Sequence, residues 1–157
     1  MANYYSVVFT PVTWAAFLDQ DTKSIGFRST LIGSVRKLNV GDILICYVSE
    51  RMRWAGALKV ASSFYEDTQN VFTALHRMQL VIDVQVVCTL SMNQELSVKE
   101  ERIWSRLERF RDITQDSGWV VKVGLHRSLR KFSPKDSEFL LHELIKTERL
   151  TTNTHLS

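Results

Sequence analysis

Between Gly26 and Val60 the chain reads GFRSTLIGSVRKLNVGDILICYVSERMRWAGALKV. Four consecutive residues near its start, Phe27-Arg28-Ser29-Thr30, supply an aromatic plane, a guanidinium and two hydroxyls. Trp54 stands at the head of a later run that is otherwise small and apolar. A guanidinium donates hydrogen bonds and accepts none, a hydroxyl does both, and aromatic rings offer faces for stacking. Such a set suits the holding of a flat molecule with polar edges, where planes stack and a few fixed polar groups read an edge. Trp14, near the start of an expected helix, can face either the core or this cleft. Each residue also has a plainer role, Trp54 and Trp14 as core and Arg28 as surface.

Residues that could make or break bonds are not arranged to do so. His76, His126, Asp67 and Glu66 are the best candidates, and none belongs to a recognisable catalytic motif. Cys46 lies inside an apolar run, a poor setting for a reactive thiolate. Cys46 and Cys88 read as buried free thiols of a reducing compartment, without zinc spacing. The reading is of a binding protein with no cofactor and no metal.

Charge bears on the class of ligand. The formal net charge is only +3, but it is unevenly spread. Arg28, Arg36, Lys37, Arg51, Arg53 and Lys59 face only Asp42 and Glu50 within residues 28–59. A second segment, KVGLHRSLRK, carries Lys122, Arg127, Arg130 and Lys131 with no acid. Local basic segments on a near-neutral chain suit phosphate contacts as well as an ordinary solvated surface. The expected phosphate-binding residues are Arg51, Arg53, Lys122, Arg127, Arg130 and Lys131.

The elements that must position these residues follow from pattern. With 157 residues, 45% hydrophobic and 24% charged, the chain suits one soluble domain, and no apolar run is long enough to span a bilayer. MANYYSVVF enters a strand directly, which predicts no signal peptide and a cytoplasmic location. Strands are predicted at Tyr4–Phe9, Ile43–Val48, Trp54–Ala61, Leu80–Leu90 and Gly118–Val123. Thr10-Pro11 should cap a short helix that lines the core with Val12, Ala15, Ala16 and Phe17. Residues 19–30 read as loop, SERMR as an exposed hairpin loop, and residues 62–78 as a long connection with a turn of helix. Gly56 marks a bulge, a close backbone approach or a bound group. Ser97 to Glu100 fits a capping box for a helix burying Ile103, Leu107 and Phe110, with Arg102, Arg106 and Arg109 on its solvated back. Ser133-Pro134 with Asp136 opens a last helix running through Ile145. Residues 1–147 form the expected domain, and residues 148–157 a tail or the start of a linker. The order lacks the regular alternation of a doubly wound sheet. It predicts an α+β fold with a curved or barrel-like, mostly antiparallel sheet flanked by helices.

Read together, YYSVVFTPVTW, GFRST, KLNVGDILICYVS, RWAGALKVASSFYED, LVIDVQVV and KFSPKDSEFL resemble, in order and spacing, the EVE domain. That family is a relative of the YTH domain in the PUA-like superfamily. The loop GFRSTLIGSVRKLN is especially similar to the YTH loop with a tryptophan-serine-threonine run. The resemblance implies a reader of modified bases, of the kind found in bacterial modification-dependent restriction systems, rather than a catalyst. It matches Ser29 to the loop serine that faces the base, and sets Arg28 where YTH domains place a cage tryptophan. The expected pocket is Phe27, Arg28, Ser29, Thr30, Trp54 and Trp14. The expected ligand is a modified cytosine flipped from duplex DNA, with a nuclease as partner. The alternatives are methylated adenine or an RNA-binding PUA-like module.

Overall fold

The computed structural model describes residues 2–66 and 78–156; the side chains of residues 78, 79 and 151–156 are not described. The expected turn of helix within residues 62–78, together with Asp67 and His76, therefore falls largely outside the described residues.

The framework is one sheet whose strands run in the order β2-β6-β4-β3-β1-β8. These are β1 (Tyr4–Phe9), β2 (Ser24–Arg28), β3 (Ile43–Val48), β4 (Arg53–Val60), β6 (Met78–Thr89) and β8 (Arg130–Phe132). Two short strands, β5 (Tyr65–Glu66) and β7 (Leu96–Ser97), pair with β6 and β4. Only β1 and β3 run parallel among the described pairings, so the sheet is mixed. It curls into a half-barrel because the twelve-residue β6 pairs with β4 along one part and with β2 along another. Bulges at Cys46/Tyr47 and Ala57/Leu58 add local twist. Gly56 serves a close backbone approach: a Cβ there would lie 2.5 Å from the Cys88 carbonyl oxygen.

Strand alternation divides the apolar residues between two cores. Leu44, Cys46, Val48, Ala55 and Leu58 face one side, with Val7, Phe9 and the helix α1 (Pro11–Leu18). Ile45, Tyr47, Trp54 and Ala57 face the other. There they meet α3 (Glu101–Trp104), α4 (Trp119–Val123) and α5 (Pro134–Leu156). A further short helix, α2 (Ile32–Val35), follows a 3-10 turn at Ser29–Leu31.

Several expectations change. Gly118–Val123 is the α4 segment rather than a strand; the chain leaves it through Gly124 at φ +77. The helix expected after Ser97 breaks into α3 and a 3-10 turn at Glu108–Phe110. Its backbone N–H groups at Glu108 and Arg109 are taken instead by the buried Asp136 carboxylate, at 2.9 and 3.0 Å. Ser97 sits in β7, so no capping box forms. Ile103, Leu107 and Phe110 are nevertheless buried. Residues 24–28, expected as loop, form β2. Thr10 does cap α1, in a reciprocal pair with Thr13, but α1 buries Trp14 and Phe17 and leaves Val12 exposed. The last helix continues past Ile145 to Leu156, so residues 148–156 are helical.

Candidate nucleic-acid interface

A concavity of about 630 Å3 opens on the first core between β1, α1, β2 and the segment before β8. Val7 and Phe9 of β1, Phe17 of α1, and Ile25 and Phe27 of β2 supply apolar walls. Arg28, Thr30, His126, Arg127 and Ser128 are among the polar ones, and among the described residues no carboxylate belongs to the lining. Arg28 and Arg127 are exposed. The site is an apolar slot with a cationic polar edge.

Local structure explains why these side chains meet. In β2 alternation buries Ile25 and Phe27, while a register irregularity between Phe27 and Arg28 frees the arginine at the strand end. The 3-10 turn at Ser29–Leu31 then brings Thr30 back to the slot. Just before β2, Lys23 donates to the carbonyls of Phe17 and Leu18 at the end of α1 and of Gln20 beyond it, holding the helix end beside β2. Opposite, the Leu129 N–H bonds Ser6 O at 2.7 Å and Ser128 Oγ accepts the Val8 N–H at 2.9 Å. These bonds seat His126, Arg127 and Ser128 along β1.

Of the pocket residues named from the sequence, Phe27, Arg28 and Thr30 line this concavity, joined by Arg127 from the named phosphate contacts, and Ser29, Trp54 and Trp14 do not. Trp54 has 0% exposure and lies in the opposite core, edge-on to Tyr47 and Phe132. Strand alternation sends its side chain through the wrong face of β4. Trp14 is buried behind the slot, stacked on Phe17 at 5.4 Å and edge-on to Phe9 at 4.9 Å. It supports two wall residues without lining the slot. Ser29 is exposed and outside the lining.

Arg51 is committed to Glu95, with Nε and Nη2 at 3.0 and 2.8 Å from the two carboxylate oxygens. It is therefore a structural arginine rather than a free phosphate contact. Arg53 opens β4 opposite Ser97 and lines neither this concavity nor the next. Lys122, Arg130 and Lys131 line a second, separate concavity with Arg109, which is half-buried rather than on a solvated helix back. Phe9, Phe17 and Ser128 carry no sequence signal of a site, because aromatic and small residues in a strand or helix read first as core. His126 could have been found from its place in the basic segment.

Both thiols are free and buried, and burial pushes Cys46 well above its ordinary value and Cys88 to about 11. Among the described residues no cluster of three or more His, Cys, Asp or Glu could hold a metal, and no helix is long and apolar enough to cross a membrane.

No protein-family model and no curated protein matches the sequence. Solved structures share the fold. One is the YTH domain of Zygosaccharomyces rouxii MRB1 in complex with N6-methyladenosine RNA. It superposes with TM-score 0.61 and 12% identity, over 91% of this chain and 86% of that one. Human THYN1 in complex with 5-methylcytosine containing DNA gives 0.59 and 13%, over 90% and 96%. Protein Atu2648 from Agrobacterium tumefaciens gives 0.60 and 18%, over 90% and 92%. The chain therefore has the PUA-like α+β fold of YTH domains and THYN1.

Proposed function

We propose that this chain reads a modified nucleobase, flipped into the concavity between β1, α1 and β2. The single observation that carries the reading is the slot itself: apolar and aromatic walls, with Arg28 and Arg127 exposed at a lining that, among the described residues, holds no carboxylate. A base leaving a duplex forfeits a few kcal/mol of stacking and pairing, which such walls and edge contacts must replace. Neighbours of the same fold were solved with methylated RNA and methylated DNA, which supports a nucleic acid as the ligand.

The favoured base is cytosine carrying a methyl or hydroxymethyl group. Arg28 only donates hydrogen bonds, and cytosine presents a ring nitrogen and a carbonyl oxygen as acceptors. The amine edge of methylated adenine answers a guanidinium less well. In this reading the chain is a specificity module, and a nuclease or similar effector supplies any cleavage. A titration of otherwise identical duplexes carrying methylcytosine, hydroxymethylcytosine, methyladenine or no modification, with a structured RNA at the same salt concentration, tests it. Preference for methyladenine would overturn the cytosine assignment and retain the reader. Equal duplex affinities with tighter RNA binding would overturn the modified-DNA reading.

A further inference from the structure

The second concavity, of about 470 Å3, is lined by Arg109, Lys122, Arg130 and Lys131 together with Glu108 and Asp136. Arg109 is held there from three sides. Its guanidinium lies 4.6 Å from the centre of the Phe132 ring, Nε donates to the Val123 carbonyl, and Nη1 reaches Ser6 Oγ at 3.5 Å. The remaining nitrogen turns towards Arg130. Nη2 of Arg109 and Nε of Arg130 lie 3.0 and 3.2 Å from one point, the place a Cβ on Gly124 would occupy. A side chain at position 124 would press on both guanidiniums, and glycine lets them approach the backbone there.

The half-buried guanidinium of Arg109 and the exposed one of Arg130 carry like charges and repel each other. Among the described residues neither has a carboxylate within 4.0 Å of its nitrogens. The nearby acids are engaged elsewhere: both oxygens of Asp136 accept backbone N–H groups, and Glu108 pairs with Lys135 at 3.1 Å. Burial, and then the charge on Arg130, pull Arg109 down to about 10, against the opposing pull of Asp136. An anion between the two planes would relieve both costs, and a phosphate group fits, since its oxygens match the guanidinium fork.

We infer that Arg109 and Arg130 form a phosphate site, and that the phosphate belongs to the nucleic-acid strand whose base enters the first concavity. The second clause rests on the function proposed above. Arg127 lines the first concavity and Arg130 the second. Three residues of chain span at most about 10 Å, the rise of roughly three nucleotides along one strand. One strand can therefore engage both arginines.

The test titrates inorganic phosphate into the 15N-labelled chain at constant ionic strength and follows the Arg109 Nε–Hε resonance. A saturable shift is expected in the unmodified chain and its loss in Arg130→Ala, whose truncated side chain is exposed and spares the core. A methylcytosine duplex should bind Arg130→Ala about tenfold more weakly, with a salt slope shallower by about one and the same preference for the modified base. No saturable response at Arg109, or one that survives Arg130→Ala, overturns the site even where duplexes bind. Equal duplex affinity and slope for the variant overturn the link to the strand. Saturable phosphate binding with no affinity for any duplex or RNA retains the site and overturns the proposed function.

Discussion

Replacing Arg51 by alanine separates the structural from the phosphate-binding role of a basic residue. Both oxygens of Glu95 are held by Arg51, and the Glu95 side chain is 1% exposed against 25% for Arg51. Removing one partner of a buried pair leaves the other charge without compensation, at a cost of about 3–5 kcal/mol. Water reaching the open side of Arg51 lowers the expectation to about 2–3 kcal/mol. Urea unfolding followed by tryptophan fluorescence should show that loss as a lower midpoint at unchanged slope. The double variant Arg51→Ala/Glu95→Gln removes the stranded charge as well and should recover most of the loss, leaving about 1 kcal/mol. Duplex affinity and its salt dependence, measured well below the unfolding midpoint, should not move. A single variant as stable as the parent chain, with a salt slope shallower by about one, would refute the structural assignment and return Arg51 to the phosphates.

Arg127→Ala should weaken binding to modified and unmodified duplexes alike and reduce the salt slope by about one, read by fluorescence anisotropy at several salt concentrations. Gly56→Ala forces a Cβ against the Cys88 carbonyl at 2.5 Å and the Thr89 Cα at 3.2 Å; since both are backbone, a loss of about 2–4 kcal/mol in urea unfolding is expected. Because folding raises Cys88 above its unfolded value to about 11, its contribution is full below the unfolded value near 9 and fades as pH rises through about 11. Stability measured from pH 9 to 11 should therefore fall less steeply in Cys88→Ala than in the parent chain.

The sheet was largely legible because its signals are local. YYSVVF, ILICYV and LVIDVQVV are dense in β-branched and aromatic residues, and all three are strands. Glu101–Phe110 was harder, since the buried set Ile103, Leu107 and Phe110 satisfies a helical period just as two short turns do. The deciding group, the Asp136 carboxylate that takes the N–H groups of Glu108 and Arg109, comes from far along the chain. GWVVKV failed similarly, because a short apolar run does not distinguish a helical turn from a strand. Phe27, Arg28, Thr30 and Arg127, which line the first concavity, stand out in the sequence by residue type and clustering. Trp54 misled because residue type does not state which face of a strand is buried against which layer. A one-residue difference in alternation decides that, and a bulge at Cys46/Tyr47 shifts it. Arg109 was invisible for the opposite reason: its charge argued for solvent, while Phe132, Val123 and Ser6 hold it inside.

The pairing of β8 with β1 joins Tyr4 to Phe132 and Ser6 to Arg130, and it sets a timetable for the growing polypeptide. Ribosomal synthesis at roughly 5–20 residues per second separates the emergence of these partners by on the order of 10 s. During that interval β1 can lie against β3 but keeps an unpaired edge, a template for pairing with other nascent chains. The slot lacks its His126–Ser128 wall over the same period. The concavity is thus incomplete in unfinished chains, and the segment that ends in the edge-protecting strand also supplies its last wall.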